Sequence, residues 1–175
     1  MASPTKEHTD LSAFLRDIQA ESDRGAALVA TSKLEDRLGE IIASLLIEDE
    51  TSRELLKGKY APLGSFSSRI NAAFALGLIE QAEFAECQII RRIRNKFAHS
   101  SKALKFDSPE VRDLVLNLPN LLPPDTEPEP RQLFIMAVAF LTIDLMWRAK
   151  LVSKERRTTK TWANKLRGST YEEAV

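Results

Sequence analysis

Ile89-Ile90-Arg91-Arg92-Ile93-Arg94-Asn95-Lys96-Phe97-Ala98-His99 is the stretch whose reading decides the fold. Its period is that of a helix. At about 100° per residue, Phe97 falls about 20° from Ile90, Ile93 about 60° and Ile89 about 100°, which makes one broad apolar face. Arg94 falls about 40° from Ile90, inside that face, whereas Arg92 and His99 lie on the far side, at about 180–200°. An arginine in an apolar stripe is costly unless a partner or ligand meets it, so Arg94 is the residue to explain.

The rest of the chain surrounds this helix with others. At 175 residues a single domain is expected, and 43% apolar residues are enough for a core. Formal net charge is zero, so any pull on nucleic acid must be local. The one cysteine, Cys87, excludes an internal disulfide and fits a reducing cytoplasm. The N-terminus lacks the layout of a signal peptide, and no apolar run is long enough to cross a bilayer; the best, Leu133 to Leu145, contains Asp144. Six glycines and few alternating β-branched runs argue against a sheet.

In chain order, residues 1–9 read as disordered, with a first helix starting at an Asp10 cap and carrying Leu11, Phe14, Leu15 and Ile18. A long helix is expected from about Asp23 to Ile47, then a short one around Ser52–Lys57. After the turn at Tyr60–Ser65, either Ser65 or Ser67 can cap a third helix. Gly77 suits a left-handed junction before the helix Glu80–Ala98. Residues 100–107 read as a loop, and Ser108-Pro109-Glu110 as a helix start. Five prolines between Leu118 and Pro130 hold that segment extended, its first half lying along the body. The last helix, Arg131 to about Ser153, is apolar on most sides, which suits the core or a subunit interface. From Lys150 to Arg167 there are seven cations against the single acid Glu155. Two readings stay open for this tail: a solvated segment, or an arm that binds polyanions. The expected division is a disordered 1–9, a helical bundle over 10–153 and a basic, mobile tail over 154–175.

No metal site is legible: His8, His99 and Cys87 form no ligand-spaced cluster, and no glycine loop cradles a phosphate. No cofactor is expected. Cys87 reads as core filler on an apolar helix face. Between Cys87 and Phe106 stand six cations, Arg91, Arg92, Arg94, Lys96, Lys102 and Lys105, and no acid. That makes either a positive patch suited to phosphate, RNA or DNA, or a surface ion-paired by acids from Glu48–Glu50 or Glu127–Glu129. Arg94, with Asn95 beside it and His99 five residues on, is the sharper pattern. An arginine can hold a phosphate, and a neutral histidine can move a proton to or from a ribose hydroxyl. Equally, Arg94 and His99 could bond the last carbonyls of their own helix.

Pro62-Leu63-Gly64-Ser65, Ser68-Arg69, Ala75-Leu76-Gly77-Leu78-Ile79, Glu83-Phe84 and Arg94–His99 together resemble the mannitol operon repressor family. That resemblance implies an all-helical protein linked to transcriptional regulation, without a helix-turn-helix. Arg94–His99 also resembles the motif of HEPN domains, helical bundles that often dimerise and are in many cases metal-independent ribonucleases. The resemblance implies that Arg94, Asn95 and His99 would contribute to a cleft completed by a second subunit.

The expectation carried forward is an all-α protein, a single HEPN-like bundle of about five to seven helices. Its function is taken as mannitol-repressor-like transcriptional regulation through protein or nucleic-acid contacts, without catalysis, in the cytoplasm and as a homodimer. The alternative is a HEPN-type metal-independent endoribonuclease of a toxin or phage-defence system, with Arg94, Asn95 and His99 as catalytic residues. Nucleic-acid contacts are assigned to Arg91, Arg92, Lys96, Lys102 and Lys105.

Overall fold

The computed structural model describes residues 6–119 and 129–162. Within them the chain is all-helical, a single bundle of seven α-helices without a strand. They are α1 (Lys6–Ala20), α2 (Asp23–Leu45), α3 (Glu50–Leu56), α4 (Phe66–Ala75), α5 (Gln81–His99), α6 (Pro109–Val115) and α7 (Pro130–Val152), followed by a 3-10 turn at Ser153–Glu155.

Local chemistry starts and stops most of these helices. The Ser22 hydroxyl accepts the N–H of Gly25 at 3.1 Å and opens α2. At α4, Ser65 and Ser68 bond reciprocally through side chain and main chain, a capping box built from two serines. Gly77 takes φ +69°, with Gly77 N–H on the Phe74 carbonyl and Leu78 N–H on that of Ala73. This is the Schellman closure that a left-handed residue permits. Pro109 and Pro130 sit in the first turns of α6 and α7, where a missing N–H costs nothing.

α2 is the axis of the bundle, packing against α1, α4, α5 and above all α7. Leu34, Leu38, Ile41 and Ile42 are fully buried, each stabilising the fold by about 1.5–3 kcal/mol. Cys87, Ile90, Ile93 and Phe97 of α5 face this core, as expected from their spacing. Phe97, Phe106 and Phe134 pack in series with their rings tilted, centroids 4.9 and 5.0 Å apart. Phe106 lies in what reads as a loop. It is nevertheless core, and its N–H is held by the Asp23 carboxylate at 2.9 Å.

Four expectations are corrected. α1 begins at Lys6, so Asp10 lies inside the helix and does not cap it. Residues 1–5 are outside the described residues. The long helix stops at Leu45, because Leu46 is already extended. Of the acids that could neutralise the basic helix, Glu48–Glu50 are used elsewhere: Asp49 caps α3, Glu50 pairs with Arg53, and Glu48 lies 3.4 Å from Arg156, while Glu127 lies outside the described residues. The tail is tied at its root, since Arg157 N–H donates to the Leu45 carbonyl at 2.8 Å. The proline-rich residues 120–128 and the tail beyond 162 lie outside the described residues.

Candidate functional site

α5 is pinned at both ends by arginines from other helices. At its start, Arg148 of α7 grips Glu83 with two bonds of 2.8 and 2.9 Å and donates to the Leu78 carbonyl at 3.1 Å. This bidentate pair holds the Arg148 guanidinium more firmly protonated than usual. At its end, Arg24 of α2 donates to the Ala98 and Ser100 carbonyls at 3.0 and 3.4 Å. The helix is therefore closed by Arg24, not by Arg94 or His99. Sequence spacing could not reveal this, because Arg24 lies 74 residues from Ala98.

Between these anchors, α5 presents side chains to two pockets. The larger is an open groove of about 690 Å³ between α5 and α6. Arg91, Arg92, Asn95, Lys96 and His99 line one wall, Glu110 and Asp113 the other, with Leu104 and Leu114 among them. Its positive wall therefore faces two carboxylates. His99 is exposed, and its side chain makes no hydrogen bond among the described residues.

The smaller pocket, about 300 Å³, lies on the other side of α5 against the start of α4. Arg91, Arg94 and Asn95 reach it, opposite Glu35, Ser65 and Ser67. Arg94 is half-buried, and its guanidinium donates to the Asn95 side-chain oxygen at 3.1 Å. Arg94 and His99, about 140° apart around the helix, thus open onto different pockets, and Asn95 and Arg91 border both. Lys102 and Lys105 line neither; they border a third depression with Asp23, Arg24 and Asp107, which shares Leu104 with the larger groove.

The arginine taken into the protein is Arg69, only 9% exposed. It donates to the carbonyls of Leu63, Glu35 and Leu56 at 2.8, 2.8 and 3.0 Å. These bonds spread its charge over main-chain dipoles at the meeting of α2, α3 and α4. Arg69 is thus the arginine that the fold both buries and satisfies.

Beside Cys87, Glu86 keeps its proton up to about pH 7, because burial and the neighbouring Glu83 and Asp144 disfavour its charge. Burial, with help from Glu86 and Glu83, pushes the Cys87 thiol up to about 12, so it is no nucleophile at neutral pH. Among the described residues no group of three or more His, Cys, Asp or Glu could hold a metal ion. No described helix is long and apolar enough to cross a membrane.

The described residues thus define an all-helical bundle with an open groove between α5 and α6. A solved structure of this kind is the MtlR–HPr complex from Escherichia coli. One of its chains matches with a TM-score of 0.57 and 18% identity, over 83% of this chain and 99% of that one. At that identity the likeness establishes an MtlR-like fold and nothing finer. No family model matches the chain, and no curated protein matches it either.

Proposed function

We propose that this chain is a non-catalytic helical regulator that works in transcriptional control by docking a protein partner in the α5–α6 groove. The observation that carries this reading is the mixed charge of that groove. Arg91, Arg92 and Lys96 stand across from Glu110 and Asp113, with leucines among them. A nucleic-acid backbone would meet both carboxylates with repulsion. A protein surface offering both signs and an apolar side chain suits the groove better. The MtlR-like fold and the resemblance of residues 62–99 to mannitol operon repressors agree with it. Since the similar structure pairs MtlR with HPr, HPr is the first partner to test. In calorimetric titration the wild type should bind HPr with micromolar affinity, and Arg92→Glu or Lys96→Glu should weaken it about tenfold or more. Absent binding, or binding indifferent to both changes, would refute the assignment.

A ribonuclease reading draws on one observation: Asn95 accepts a hydrogen bond from Arg94 and borders the pocket of His99. Arg94 would hold the scissile phosphate and His99 would move the proton. The two lie on different sides of α5 in one chain, so the cleft would need a homodimer to complete it. RNA cleavage in EDTA, lost in both Arg94→Ala and His99→Ala, would establish this reading, and its absence would remove it.

A further inference from the structure

Six of the described arginines are wholly or partly withdrawn from solvent: Arg37, Arg69, Arg91, Arg94, Arg131 and Arg148. Four of them meet a carboxylate or main-chain carbonyls. Arg37 reaches Glu40 at 2.6 Å, Arg69 three carbonyls, Arg131 Asp23 with the carbonyl of Ile18 at 3.1 Å, and Arg148 Glu83. The other two are different. Arg91 donates to the Gln88 side-chain oxygen at 3.1 Å, and Arg94 to that of Asn95 at the same distance. Neither acceptor carries charge.

These two arginines line the same small pocket between α4 and α5. Glu35 lines it too, but lies within ion-pair distance of neither guanidinium. Two cations against one distant carboxylate leave the pocket with excess positive charge in partly desolvated surroundings. A guanidinium presents donors in a planar fork that matches tetrahedral oxyanions. The Ser67 hydroxyl, on the facing wall, adds a donor suited to the same ligand. A space of about 300 Å³ accommodates a phosphoryl group with a small organic remainder.

We infer that the α4–α5 pocket is a binding site for a small phosphate-class anion, held by Arg91 and Arg94 with Ser67. The site is distinct from the docking groove, although Arg91 and Asn95 border both. It does not require that groove to bind a protein. Glu35 tempers its affinity, since a carboxylate on the facing wall opposes binding of a strongly charged anion.

The test is calorimetric titration of the full chain, without partner, at matched ionic strength. The probes are inorganic phosphate, glycerol 3-phosphate and chloride. Phosphate or its monoester should bind in the millimolar range or tighter, with chloride at least about tenfold weaker. Arg94→Gln should weaken binding about tenfold, Arg91→Gln should weaken it too, and Glu35→Gln should strengthen it. A thermal melt of Arg94→Gln close to the wild type shows that the loss is local. No binding at about 10 mM, or equal binding by Arg94→Gln, would overturn the inference. Binding by phosphate alone places the site on the free anion, and binding by the ester as well places it on a phosphorylated metabolite. Because HPr is absent, failure here leaves the docking proposal untouched.

Discussion

The guanidinium of Arg24 donates to the carbonyl of Ala98, 3.0 Å away and 74 residues later. One side chain on α2 thereby closes the last turn of α5 and fixes the backbone that carries His99. Arg24→Ala should leave the fold intact, since the contact is solvent-exposed, at a cost of about 1 kcal/mol. Its signature should be local: faster amide exchange for the final turn of α5, with the turns around Ile90 unchanged. Equal exchange in both proteins would remove Arg24 as the cap.

Arg69 should be far less tolerant. Arg69→Met strands the Leu63 and Leu56 carbonyls, removes a third bond to Glu35, and should destabilise by about 3 kcal/mol in urea unfolding. Gly39 is the companion test. A methyl group there would sit 3.1 Å from an Arg69 guanidinium nitrogen. Helix propensity alone favours alanine by about 1 kcal/mol. The guanidinium is fixed by its three carbonyls and cannot retreat, so Gly39→Ala should be destabilising. In an Arg69→Met background the same change should turn neutral or favourable.

Glu86 makes stability fall as pH rises. Its carboxyl holds its proton to about pH 7 when folded, against 4.5 for a glutamate in water. Between those values the folded chain binds more protons than the unfolded one, so stability is greatest at the acid end and declines through this window. Partial solvent screening limits the decline to about 1 kcal/mol. Glu86→Gln should flatten the profile between those pH values. An unchanged slope would mean that Glu86 ionises normally in the fold.

The acids of α6 should govern what the groove accepts. Glu110→Gln with Asp113→Asn leaves Arg91, Arg92 and Lys96 unopposed. The double variant should bind single-stranded RNA about threefold more tightly than the wild type at low salt, with a steeper salt dependence. It should bind the protein partner less well. A wild type that already binds RNA as tightly as the variant would favour a nucleic-acid role.

Much of the fold was legible because the signals act within a turn or two. Ser65, Gly77, Pro109 and Pro130 each set a helix boundary with groups a few residues away. The periodicity of Ile90, Ile93 and Phe97 identified the buried face of α5. Phe106 was missed because its burial depends on Phe97 and Phe134 closing around it, and a single aromatic between two polar stretches has no period.

The candidate site was legible only as a set of residue types. By itself, the sequence determined an all-helical chain, a basic α5 and the presence of Arg94, Asn95 and His99 on it. The tertiary structure alone decided where their charges go. It buried Arg69 and left Arg94 half-buried, set Glu110 and Asp113 across from the basic wall, and turned Arg94 and His99 toward separate pockets. The physical reason is range. Helix caps and apolar periods are satisfied by near neighbours, whereas a charge partly removed from water must be answered by whatever the fold brings beside it. For Arg131 that was an aspartate 108 residues away, and for Arg94 no carboxylate among the described residues.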